Sequence, residues 1–214
     1  TVPLQYGPMT VLALLLPLPL SYNLIVLLYM ALNGWAMYWL LRYLLADENH
    51  VPAFVAGVIY MAFPVFQAHL IEGHAGLLMG WAVLLYVWSL LRLTRAKIGI
   101  WRWLLATVFF FWLSTTGHIL QAIYVLLPVT GVFGLVQLWQ RDWLAVRRIL
   151  LMGVLSVGLL GLLFLPVILE SATEVAYAET TGYVRFSADA LSIVSPSFLH
   201  PVFDQVLDYP RRVL

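Results

Sequence analysis

Long apolar runs alternate with short polar connectors along this chain, and the charges in those connectors are sorted by sign. With the runs read as membrane crossings, eight of the 11 Lys and Arg residues fall in alternate connectors: Arg42, Arg92, Arg95, Lys97, Arg102, Arg141, Arg147 and Arg148. The other three, Arg185, Arg211 and Arg212, sit in a polar C-terminal stretch. Seven of the ten carboxylates and four of the five histidines fall on the opposite side. Basic segments resist translocation, so the basic connectors are expected in the cytoplasm. His69, Glu72, His74, His118 and the C-terminal stretch are then expected outside, away from ATP and toward lipid-linked or extracytoplasmic partners.

Composition agrees with a bilayer as solvent. Hydrophobic residues make up 63% and charged residues 10%, against about 25% charged in a soluble domain. A core of this size cannot bury that much apolar surface. A net charge of +1 argues against nucleic acid as a partner. The absence of cysteine excludes disulfides, thiolate metal sites and cysteine catalysis. The chain opens at Thr1 without a signal-peptide pattern, and we expect it to be an interior stretch of a longer protein.

The reading along the chain is an all-α integral membrane protein with about six crossings. Residues 1–20 are apolar but interrupted by Pro3, Pro8, Pro17 and Pro19, too broken to cross about 30 Å of hydrocarbon. They are expected to form a re-entrant or interfacial piece. The predicted spans are 21–45, 52–70, 77–93, 100–115, 118–139 and 149–171, with Pro52 starting the second and Pro64 kinking it. Asn23 is expected to be half-buried in the first and to need a partner. The connectors 46–51, 94–99 and 140–148 are assigned to the cytoplasm, and the last reads as amphipathic. The sixth span carries Gly153, Ser156, Gly158 and Gly161, small residues that permit close helix contact. The transmembrane domain is set at 1–171 and an extracytoplasmic tail at 172–214. Six of nine tryptophans, Trp39, Trp88, Trp101, Trp103, Trp139 and Trp143, fall near the cytoplasmic boundary as an aromatic belt.

One external turn stands out. The stretch QAHLIEGHAG places Gln67, His69, Glu72 and His74 together at a helix end. A carboxylate flanked by two imidazoles can hold a divalent metal or move a proton. The spacing is not HExxH, and a polar turn that merely meets water and headgroups fits as well. His118 opens the fifth span on the same side. The three histidines can converge on a metal or a phosphate, or cap separate helices. A haem ligand lacks the paired histidines it would need. Asp47, Glu48 and His50 read as a helix stop and an N-cap for the next span. No phosphate loop, dinucleotide fingerprint or serine triad signature is present. No cofactor is identified; a divalent metal and a bound lipid are the candidates.

Three stretches taken in order carry a resemblance: SYNLIVLLYMALNGWAMYWLLRYLL at 21–45, AFVAGVIYMAFPVFQAHLIEGHAGLL at 53–78 and FSADALSIVSPSFLHPVF at 186–203. Together they resemble bacterial polytopic membrane proteins of the GT-C glycosyltransferase superfamily. The turn bearing Phe63, Pro64, His69, Gly73 and His74 is the most specific part. The resemblance implies transfer of a sugar from a polyprenyl-phosphate donor on the extracytoplasmic face of the bacterial inner membrane. Its usual base is an aspartate in the first external loop, and this chain has no acidic residue before Asp47, so the base is carried onto no residue here. Two expectations stand. One is a non-catalytic accessory subunit packed among other membrane subunits, such as those of an electron-transfer complex; the missing acidic loop favours it. The other is part of an active lipid-linked sugar transferase.

Overall fold

A computed structural model describes residues 3–46, 49–71, 75–117 and 121–173. The chain divides into two units, Thr1–Phe164 and Leu165–Leu214, and the packing below is that of the first. Every regular element among the described residues is helical. In order these are α1 (Pro3–Ala13), α2 (Leu18–Leu45), α3 (Val51–Met61), α4 (Pro64–Ile71) and a 3₁₀ turn at Ala75–Leu78. Then come α5 (Gly80–Arg95), α6 (Ile100–Gly117), a π-turn at Ala122–Leu126, α7 (Leu127–Trp139) and α8 (Trp143–Thr173). Among the described residues three stretches, Leu18–Leu45, Ala122–Trp139 and Trp143–Leu165, are long and apolar enough to cross a membrane; Val51–Gln67 is a shorter apolar stretch.

Helix is the form these sequences need, because hydrocarbon offers no partner for a backbone N–H or C=O. Three buried threonine hydroxyls obey the same rule by bonding back to their own helix. Thr107 donates to Trp103 O at 2.6 Å, Thr115 to Phe111 O at 2.8 Å and Thr116 to Trp112 O at 2.7 Å.

The centre is the α5–α6 hairpin, with α2 packed on α5 and α3 packed on α2. Tyr86, Leu90, Leu93, Leu104, Val108 and Phe111 from the hairpin form one core cluster with Leu126, Ile149 and Met152. Helix α2 meets α3 at a glycine pair. A Cβ on Gly57 would lie 2.7 Å from Gly34 O, and one on Gly34 would lie 3.1 Å from Gly57 O. Backbone therefore touches backbone, which in a bilayer replaces the missing hydrophobic drive with dispersion.

The structure departs from the sequence reading at several points. The second span is interrupted rather than bent: α3 stops at Met61 and α4 restarts at Pro64. Proline has no N–H to continue the ladder and disfavours helical geometry in the residue before it. Most of the 140–148 connector is helix, since α8 begins at Trp143. The true turn is a Schellman motif: Arg141 N–H bonds Leu138 O and Asp142 N–H bonds Gln137 O, both at 3.0 Å. Arg141 takes the left-handed position with φ 57°, where glycine is usual. Asp142 then caps α8, accepting Ala145 N–H at 3.0 Å. Asn23 is exposed, and the buried amide is Asn33. His50 does not cap α3; the cap-like bond is Val51 N–H to Asn49 Oδ1 at 3.0 Å. A Cβ on Gly153, Gly158 or Gly161 would meet open space, so these glycines pack against nothing in the described chain.

Candidate functional site

Helix α5 has 16 residues, about 24 Å at 1.5 Å per residue, and each of its ends is held by one buried polar side chain from a distant helix. At the N-terminal end the holder is Asn33, fully buried in α2. Its Nδ2 donates to Leu78 O at 3.0 Å, and its Oδ1 accepts Trp81 N–H at 2.6 Å. Both groups belong to the 3₁₀ turn and the first turn of α5, where backbone partners run out. The clasp locks the entry into α5 against the middle of α2.

The neighbouring packing is equally close. A Cβ on Gly80 would lie 2.7 Å from the Phe66 ring of α4 and 2.8 Å from the Tyr60 hydroxyl. A Cβ on Gly117, the last residue of α6, would lie 2.9 Å from Met79 Sδ. So α2, α4, the start of α5 and the end of α6 meet at this end. Gln67 is half-buried on α4, one residue after buried Phe66. The side chain of His69, and Glu72, His74 and His118, lie outside the described residues. The segments that bear them join directly to this packed end: His74 precedes the 3₁₀ turn and His118 follows Gly117. Gln121 Oε1, in the residue before the π-turn, is buried without a hydrogen-bond partner. Among the described residues no group of three His, Asp or Glu side chains is placed to hold a metal.

The C-terminal end of α5 is basic. The Arg92 guanidinium stacks 4.4 Å over Tyr43, 5.4 Å over Trp103 and 5.7 Å over Trp88, which joins the end of α2 to the α5–α6 hairpin by cation–π contact. Arg148, only 9% exposed, reaches from α8 and donates through Nη1 to Leu93 O at 3.0 Å and Thr94 O at 2.9 Å. It thereby supplies positive charge to the orphan carbonyls at the negative end of the helix dipole. Its Nε is buried without a partner. Beside it opens a polar cleft of about 610 Å³ lined by Arg95, Lys97, Gln137, Gln140, Asp142 and Arg148, among others.

A third feature is an apolar furrow of about 710 Å³ between α2 and α3, floored by Gly34 and Gly57 and walled by Trp35, Phe54 and Val58. His50 lies at its end. The ring is hydrogen-bonded to Arg42 and, through Nδ1, to the Tyr38 hydroxyl at 2.8 Å.

Asn33, Gln121 and Arg148 are the residues that the sequence reading did not single out. An amide in the middle of an apolar run, as in ALNGW, was the available signal for Asn33, because such a group must find a partner or a function. Comparison with known family models, with curated proteins and with solved structures finds no match to this chain.

Proposed function

We propose that the chain is the membrane domain of a polyprenyl-phosphate-sugar-dependent transferase with a GT-C-like fold. Its working face is the region around the start of α5 held by Asn33, toward the extracytoplasmic side. The Asn33 clasp carries this reading. A fully buried amide is spent on fixing the turn that follows Glu72 and His74. A bundle that only fills space gains little from that, whereas a site needs its support held rigid.

In this reading Gln67, His69, Glu72, His74 and His118 form the polar lining. Their chemistry suits proton transfer, a divalent metal, or contact with the donor phosphate. The aspartate base that the family resemblance implies is assigned to no residue of this sequence. The topology has six crossings in a bacterial inner membrane, with 46–51, 94–99 and 140–148 cytoplasmic and 172–214 outside.

A second reading is the non-catalytic accessory subunit of a larger membrane complex. It is favoured by the open glycines of α8, Gly153, Gly158 and Gly161, which suit a docked helix.

One experiment separates the two. The full-length protein is purified in mild detergent, its retained partners are identified, and transfer from a polyprenyl-phosphate sugar is measured for the wild type and for Glu72→Gln. The transferase reading expects transfer by the lone protein and a loss on the order of 10²-fold or more. Stable co-purification with other subunits and no transfer by either protein would establish the accessory reading instead.

A further inference from the structure

We propose that the cleft between the end of α5 and the α7–α8 turn binds the phosphate of an anionic phospholipid. Its charge balance is the first observation. Arg95, Lys97 and Arg148 line it against one carboxylate, Asp142. That carboxylate already accepts the Ala145 N–H as the cap of α8. None of the three cations forms an ion pair with another described residue. Arg148 is nine-tenths buried, donates only through Nη1, and leaves Nε unpartnered. Buried positive charge without a counter-ion is costly, and an anion in the cleft removes that cost. The amides of Gln137 and Gln140 line the same space and add donors suited to phosphate oxygens.

The rim selects a lipid over a free solute. Three of the polar wall residues have a large, strongly exposed apolar neighbour in sequence. Ile98, beside Lys97, is 90% exposed; Trp139, beside Gln140, is 89% exposed; Trp143, beside Asp142, is 60% exposed. Exposed apolar and indole side chains next in sequence to the residues of a cationic hollow match the boundary between headgroups and acyl chains, where tryptophan anchors and basic residues meet lipid phosphate. A site for a water-borne anion would gain nothing from an apolar rim.

The test uses the full-length protein in detergent and native mass spectrometry, with phosphatidylglycerol, phosphatidylcholine and inorganic phosphate as probes. Phosphatidylglycerol is expected to be retained in preference to phosphatidylcholine. Lys97→Gln and Arg95→Gln should each weaken that retention about fivefold, the equivalent of one surface cation near lipid. Lys97 lies on a turn and leaves the Arg148 cap untouched, so its variant folds independently of the cap. Arg147→Gln, exposed on α8 and outside the cleft, should change nothing. Equal retention of the two lipids, or no effect of Lys97→Gln, would overturn the proposal. So would displacement of phosphatidylglycerol by millimolar inorganic phosphate, which would reassign the cleft to the free anion.

Discussion

The two ends of α5 solve one problem in opposite ways. Each presents backbone groups without helical partners, and each is closed by a side chain from another helix. Asn33 is neutral and serves both kinds of group, giving to Leu78 O and taking from Trp81 N–H. Both polar atoms of its amide are partnered, and it brings no charge. Arg148 is charged and can only give. It satisfies two carbonyls and keeps an unpartnered Nε and an unneutralised charge. A neutral clasp makes a rigid support; a charged one makes a support that also attracts a ligand.

The sharpest way to break this contrast is Asn33→Leu. The substitution strands a buried N–H and a buried C=O together, and should cost about 3 kcal/mol of stability. Equilibrium unfolding in detergent checks it, and a cost below about 1 kcal/mol would mean that the clasp is replaceable. Arg148→Met should cost less, about 1–2 kcal/mol. The carbonyls it frees border an open cleft, and removing the charge also removes a desolvation burden. Its cost should grow when anionic lipid is present, because the wild type then binds it more tightly and is stabilised more. The smallest effect, and of opposite sign, is Arg141→Gly. Relieving the left-handed strain in the turn that leads into Asp142 should stabilise the protein by about 1 kcal/mol. A thermal-shift assay in one detergent can rank all three.

Much of the helical layout was legible in the sequence, because apolar length and proline position act locally. The start of α3 at Val51-Pro52 and the end of α2 at Leu45 follow from such signals. The features that hold the ends of α5 were not legible, since they depend on distant pairing: Asn33 meets a turn 45 residues away and Arg148 a carbonyl 55 residues away. Counting charge by side of the membrane treated Arg148 as one cation among eight and hid its burial. The same holds for glycine. The four small residues of the sixth span drew notice by their density, yet the backbone contact is made by the isolated Gly34 and Gly57. Spacing along one helix does not say which face another helix will meet. Of the residues proposed as a polar lining, Gln67 and the backbone of His69 lie on α4, while Glu72, His74 and His118 lie outside the described residues.

The π-turn at Ala122–Leu126 changes what a periodicity plot can see. Leu127 N–H bonds Ala122 O, five residues back, and the turn lies just before Pro128, which has no N–H to offer. One surplus residue in a turn advances every later side chain by about 100°. Ala122 and Leu126 thus face the core, while α7 beyond them has no buried residue. The stretch is two wave trains out of phase, and averaging over both flattens the amphipathic signal of each. Removing a single residue from this turn would restore one phase throughout and carry a different row of side chains into the core cluster. The chain's most economical mutation for swapping its lipid-facing surface is therefore a deletion rather than a substitution.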